Sequence, residues 1–116
     1  MKRDMDLLRE ILLQVETREP KQSLEVKIEG RDRQEIVGHV HLLQEAGFVE
    51  ATFTGGPTAI VHRLTWDGHE FLDSVRDPTV WAKVTKRLKK VGGFAPVDLI
   101  KTLGISVMKD QLGLNG

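Results

Sequence analysis

The sequence predicts a mainly helical α+β fold, and three observations carry that expectation. Apolar residues recur at helical spacing in five separate stretches; one alternating stretch and two short apolar runs joined by paired glycines read as strands; and nothing places the chain in a fibrous, disulfide-rich or membrane class. At 116 residues the chain is long enough for one domain with a real core, and short for two. Its 40% hydrophobic and 29% charged residues argue against disorder. The absence of cysteine excludes a disulfide framework, a thiolate zinc site and a cysteine nucleophile together. No apolar run approaches the roughly 18 to 20 residues that span a bilayer. The start, MKRDMDL, carries two acids where a secretory signal needs an apolar stretch, so the chain is expected to begin near Met1, to be cytoplasmic and to have no membrane partner.

Leu7, Leu8, Ile11, Leu12 and Val15 form an apolar stripe behind Asp4, a residue suited to cap free amides, which predicts a helix from Asp4 to about Thr17. Glu19-Pro20 ends it. Leu24, Val26 and Ile28 then alternate with Glu25, Lys27 and Glu29 as a half-buried strand does, closed by Gly30. Asp32 and Glu35 have capping-box spacing, and Ile36, Val40 and Leu43 make one face of a second helix ending at Gly47, with Phe48 placed to fold back on its last turn. The runs 48–53 and 59–64 flank Thr54-Gly55-Gly56-Pro57, whose glycines supply the positive φ of a tight hairpin. Thr65 caps a third helix, Trp66 to Arg76, with Phe71, Leu72 and Val75 inward. Asp77-Pro78 caps and starts a fourth, with Val80, Trp81, Val84, Leu88 and Val91 on one face, ending at Gly92-Gly93. Pro96 opens a fifth, with Ile100, Leu103, Val107 and Met108 apolar, running to about Gly113. The expected organisation is a single domain, 1–116, with a core in 1–77 and a helical extension in 78–116.

A zero net charge hides an asymmetry. Residues 1–77 hold 10 basic and 15 acidic side chains, while 78–116 hold 7 basic and 2 acidic. Five of the latter cations are Lys83, Lys86, Arg87, Lys89 and Lys90, a cluster suited to phosphate, although a solvated helix face is the commoner meaning of such a run.

The order α, β, α, β, β, α, followed by two more helices, is that of a winged-helix-like domain, in which the helix before the hairpin enters a DNA major groove and the hairpin is the wing. The segment HVHLLQEAGFVE, His39 to Glu50, resembles the end of the recognition helix and the following strand of ArsR-type and MarR-type regulators. LTWDGHEFL, Leu64 to Leu72, resembles their entry to the helix after the wing. Nearly the whole chain resembles a bacterial and phage family of unknown function, on the start MKRDMDLLREIL and on RLTWDGHEFLDSVRDPTVW and KDQLGL. The family likeness implies a winged-helix-like fold and little about activity, and the two regulator-like segments carry the DNA-binding expectation. Two features depart from a DNA reader. Only one clear helix lies between the first strand and the hairpin where a helix-turn-helix has two, leaving Lys21 to Leu24 to supply a reduced turn. The outer face of the presumed recognition helix, Gln34, Gly38, His41 and Glu45, carries no arginine, and the wing tip 54–58 carries no cation.

The candidate DNA-contacting residues are Arg31 and Arg33 at the helix start, Gln34 and His41 on its outer face, and His62 and Arg63 on the returning wing strand, supplemented by Lys83, Lys86, Arg87 and Lys90. Arginine suits a guanine edge or a phosphate and Gln34 an adenine, whereas the plainer reading leaves Arg31 and Arg33 as solvated residues beside a cap. His39 and His41 diverge by about 200° on a helix, so one ion cannot readily take both, and His39 is expected at the edge of the core. His69-Glu70 lacks a second zincin histidine, and no carboxylate pair or Ser, His, Asp set stands out. Trp66 and Trp81 are read as packing anchors. The expectation is therefore a non-enzymatic module without metal or cofactor, binding double-stranded DNA as a regulator of phage or mobile-element origin. The alternative is a protein-interaction adaptor on the same fold. Either is compatible with a homodimer through the C-terminal helices.

Overall fold

The computed structural model describes residues 1–114 and divides the chain into two compact units, 1–70 and 71 onward. It is an α+β structure with five α-helices and one three-stranded antiparallel sheet among the described residues. No helix among them is long and apolar enough to cross a membrane.

In the first unit α1 (Met5–Glu16) starts at Asp4, whose carboxylate accepts the Leu7 amide at 3.1 Å. Its expected stripe is fully internal: Leu7, Ile11, Leu12 and Val15 lose essentially all contact with water, each contributing about 1.5–3 kcal/mol by burial. α2 (Arg33–Glu45) starts at Asp32, which accepts the amides of Gln34 and Glu35. It ends in a Schellman turn: Gly47 sits at φ +80, its amide bonds the Gln44 carbonyl, and the Phe48 amide bonds Leu43. Phe48 folds back and is buried, as the sequence suggests.

The sheet consists of β1 (Leu24–Glu25), β2 (Val49–Phe53) and β3 (Ala59–Leu64) in the order β1-β3-β2, with Leu24 opposite Val61 and Phe53 opposite Ala59. β1 is shorter than the alternation from Leu24 to Ile28 predicts. The Lys27 backbone leaves the ladder because Gln14 of α1 bonds both its amide (3.0 Å) and its carbonyl (2.6 Å), taking the place of a neighbouring strand. The hairpin is also looser than expected, a five-residue connection in which Gly55 alone, and not Gly56, takes positive φ. A bulge makes His62 the extra residue of β3, since Glu50 pairs with Arg63 and Ala51 with Val61. α1 and α2 pack on each other and on this sheet.

α3 (Trp66–Val75) begins at Thr65, which accepts the Gly68 amide at 3.0 Å and donates its hydroxyl to the Gly47 carbonyl. Gly68 is required here: a Cβ would stand 2.0 Å from the Phe48 carbonyl oxygen. Trp66 is 77% exposed and is not a packing anchor. Nine residues at about 100° each place it half a turn from the buried Val75, on the outer side of the helix.

In the second unit, Phe71, Leu72 and Val75 of α3 are buried, as are Val80, Trp81, Val84 and Leu88 of α4 (Pro78–Leu88) and Ile100 and Val107 of α5 (Val97–Gln111). Asp77 caps α4 through the Thr79 and Val80 amides, ahead of Pro78. The chain then tightens into a 3-10 turn, Lys89–Val91, and reverses through Gly92 and Gly93, both at φ +88. Val91 lies at that reversal and stays 66% exposed, so the α4 stripe ends at Leu88. Gly104 lets α5 approach α3, where a Cβ would lie 2.2 Å from the Ser74 carbonyl oxygen.

Candidate functional site

The outward side of α2 is an open surface of the first unit. Gln34, His41 and Glu45 lie exposed along it, opposite the buried Ile36, Val40 and Leu43. The hairpin runs along one flank. The His41 ring stacks on Phe53 with centroids 3.4 Å apart and planes 7° from parallel. Gln44 Oε1 accepts the Ala51 amide at 2.7 Å, tying the edge of β2 to the helix. Gln34 and Val37 face Gly55, Gly56 and Pro57 across a depression of about 280 Å³.

The other flank is the N-terminal arm. The Met1 side chain lies over Gly38, where a Cβ would meet its Sδ at 2.5 Å. Three interactions hold the arm. The Asp4 amide donates to His39 Nε2 at 2.9 Å, the Asp4 carboxylate pairs with Arg31, and His39 Nδ1 donates to the Glu35 carbonyl at 2.7 Å. Both His39 nitrogens are therefore used, Nε2 as acceptor and Nδ1 as donor. His39 is completely buried rather than at the edge of the core, because these partners satisfy it there. Burial raises the Asp4 carboxyl pKa, but the hydrogen bonds from Arg31 and the Leu7 amide, with the Arg31 charge, outweigh it and hold the group below the ordinary value.

The residues singled out in the sequence separate into three sets. Gln34 and His41 share the α2 face, and Arg33 is exposed at its start. Arg31 turns back to Asp4, and Arg63 pairs across the hairpin with Glu50 at 2.7 Å, which keeps the Glu50 carboxyl below its usual range. His62, re-aimed by the bulge, bridges the sheet surface with Nδ1 2.7 Å from Ser23 Oγ and Nε2 2.7 Å from Thr52 Oγ1. Lys83, Lys86 and Arg87 are exposed on α4 and Lys90 on the following 3-10 turn. His39 and His41 point to separate partners, and no group of three metal-ligating side chains occurs among the described residues.

Sequence reasoning missed the clamp of Asp4, Arg31 and His39 and the seat of Met1 on Gly38. A histidine at position i+3 from Ile36 on an apolar face signals a buried group that needs partners. Asp4 is 27 residues from Arg31 and 35 from His39, beyond any local spacing.

Residues 2–95 match the family described as "Hypothetical protein (DUF2513)", and the chain belongs to it. A protein of Haemophilus influenzae (strain ATCC 51907 / DSM 11121 / KW20 / Rd), described as "Uncharacterized protein", is 33% identical over 117 residues, spanning 97% of this chain and 99% of that one. No solved structure matches the chain.

Proposed function

We propose that the protein is a non-enzymatic, winged-helix-like module that binds duplex DNA through α2 and the hairpin, in the role of a regulator of phage or mobile-element origin. One observation carries the reading: α2 immediately precedes an antiparallel hairpin in a sheet ordered β1-β3-β2, and its outer face keeps Gln34 and His41 open to solvent between hairpin and N-terminal arm. A recognition helix beside a wing has this arrangement. The Gln34 amide offers the donor and acceptor pair that matches an adenine edge, and Arg33 at the helix start suits a phosphate. The segment between β1 and α2 forms no helix, so the module lacks the support helix of a full helix-turn-helix.

Anisotropy titration of labelled duplexes at ~50 mM salt tests the reading, since electrostatic binding is strongest at low salt. Binding that falls at least tenfold in R33A/Q34A/H41A supports it; no binding to any duplex, or no loss in the variant, removes it. Arg31 is left intact in this test because its substitution also opens the clamp on Asp4.

A second reading, a protein-interaction adaptor, is favoured by a specific observation: Arg31 and Arg63 are both neutralised by acids, and residues 1–70 hold 13 acidic against 9 basic side chains. A partner retained on the immobilised protein after nuclease treatment, and released by H41A, selects it. Pairing of two copies through the apolar flanks of α5, where Leu99 and Leu112 are exposed, fits either reading, and light scattering measures it.

A further inference from the structure

We infer that the cationic stripe formed by Lys83, Lys86, Arg87 and Lys90 is a seat for the phosphodiester backbone of duplex DNA, a second binding surface that rests on the DNA-binding reading. Lys83, Lys86 and Arg87, at i, i+3 and i+4 of α4, share an arc about 100° wide, and Lys90 follows one turn on in the 3-10 segment, for a length of about 10 Å. DNA presents a phosphate every 3.4 Å of axial rise on each strand, and because the strand winds as it rises its successive phosphates stand about twice that far apart, so the stripe meets about two phosphates of one strand.

The arrangement costs the helix stability. Lys83 with Arg87 and Lys86 with Lys90 are like-charge pairs four residues apart, which disfavour a helix. The helix dipole offsets this for Lys86 and Arg87 in the last turn of α4, and it offers nothing to Lys83 a turn earlier. No ion pair joins any of the four to an acid among the described residues. Before the stripe, Asp77 caps α4 and Asp73 pairs with Arg76 at 2.5 Å; after it, the first acid is Asp98 in the first turn of α5.

The surroundings select among polyanions. The apolar side of α4 is used internally from Val80 to Leu88, with Trp81 only 7% exposed, which leaves Val91 as the one large apolar side chain beside the stripe and no broad face to insert into lipid. The exposed residues beside the stripe, Thr79, Ala82, Lys89 and Val91, include none of the aromatic anchors on which protein interfaces concentrate their energy. A ligand recognised by repeated charge alone fits what remains.

The test is the salt dependence of binding to a mixed-sequence duplex, read by anisotropy between ~50 and ~200 mM salt. K83Q/K86Q/R87Q/K90Q is expected to flatten the log–log slope by about 0.9 for each phosphate no longer neutralised, about 2 in all, while K83R/K86R/K90R keeps the wild-type slope. Far-UV circular dichroism checks the fold. If the fourfold variant loses its helical spectrum, K83Q/R87Q replaces it, with an expected flattening of about 1 or more. An unchanged slope in a folded, neutralised variant overturns the stripe alone and leaves the α2 reading standing. Failure of the wild type to bind any duplex overturns both. Binding of the wild type to phosphatidylglycerol vesicles that competes with duplex and depends on the same four cations overturns the assignment in favour of a membrane surface.

Discussion

The backbone amide of Asp4 donates to Nε2 of His39, a side chain with no solvent exposure, 35 residues away. This bond joins the start of α1 to the middle of α2. The same aspartate caps α1 through its carboxylate and pairs with Arg31, so one residue orders a helix terminus, the N-terminal arm and the turn before α2.

Truncating His39 leaves the Asp4 amide without its acceptor and opens a cavity. H39A is expected to lose about 2–4 kcal/mol in urea unfolding. H39F, which refills the volume while leaving the Asp4 amide unsatisfied, is expected to recover part of that loss and still fall about 1–3 kcal/mol below wild type. Equal stability of H39F and wild type contradicts a role for the ring nitrogens.

The Asp4 carboxyl has a folded pKa held below its ordinary value, against burial, by Arg31 and the Leu7 amide. Its contribution is therefore complete above the ordinary aspartate value near 4 and is lost as pH falls through the lower folded value. The difference in urea midpoint between wild type and D4N is expected to be constant from about pH 7 to pH 5 and to shrink below about pH 4. R31A is expected to raise the Asp4 pKa, which carboxyl-detected NMR titration reads directly.

Two glycines are required by close backbone approach and one is not. G68A and G104A place a Cβ 2.0 Å and 2.2 Å from carbonyl oxygens and are expected to cost more than about 2 kcal/mol each, as overpacking against backbone does. Gly56 has ordinary φ and open space, with Thr54 Oγ1 at 3.8 Å as its nearest neighbour. G56A is expected to be neutral or to stabilise by about 0.4–1 kcal/mol through the unfolded chain. Thermal denaturation of the three variants separates the cases.

The two tryptophans are distinguishable in solution. With Trp66 at 77% exposure and Trp81 at 7%, the single-tryptophan variant W81F is expected to emit from a water-exposed indole that acrylamide quenches efficiently. W66F is expected to show blue-shifted, protected emission. W66A costs within about 0.5 kcal/mol, whereas W81A costs about 3–5 kcal/mol.

Local chemistry is readable without coordinates wherever cause and effect lie within one or two turns. The caps at Asp4, Asp32 and Asp77, the Schellman glycine at 47, and the stripes of α1 and α4 as far as Leu88 all follow from amide satisfaction and a 3.6-residue period. The exposure of Gln34 and His41 follows from the same period applied to the polar side of α2. At Trp66 hydrophobicity and helical angle disagree: its large indole suggests an anchor, its position opposite Val75 an outer residue, and the angle prevails.

What the amino-acid order determined by itself is the succession of helices and strands and which side of each is apolar. Folding alone decided the fate of the charges and the ladder. Arg31 is drawn to Asp4 and Arg63 to Glu50, the Lys27 backbone leaves the sheet ladder for Gln14, and His62 is turned by a bulge to Ser23 and Thr52. Periodicity is a property of neighbours along the chain, whereas a hydrogen bond or ion pair needs two groups within about 3 Å. Pairs tens of residues apart reach that distance only once α1, α2 and the sheet have packed.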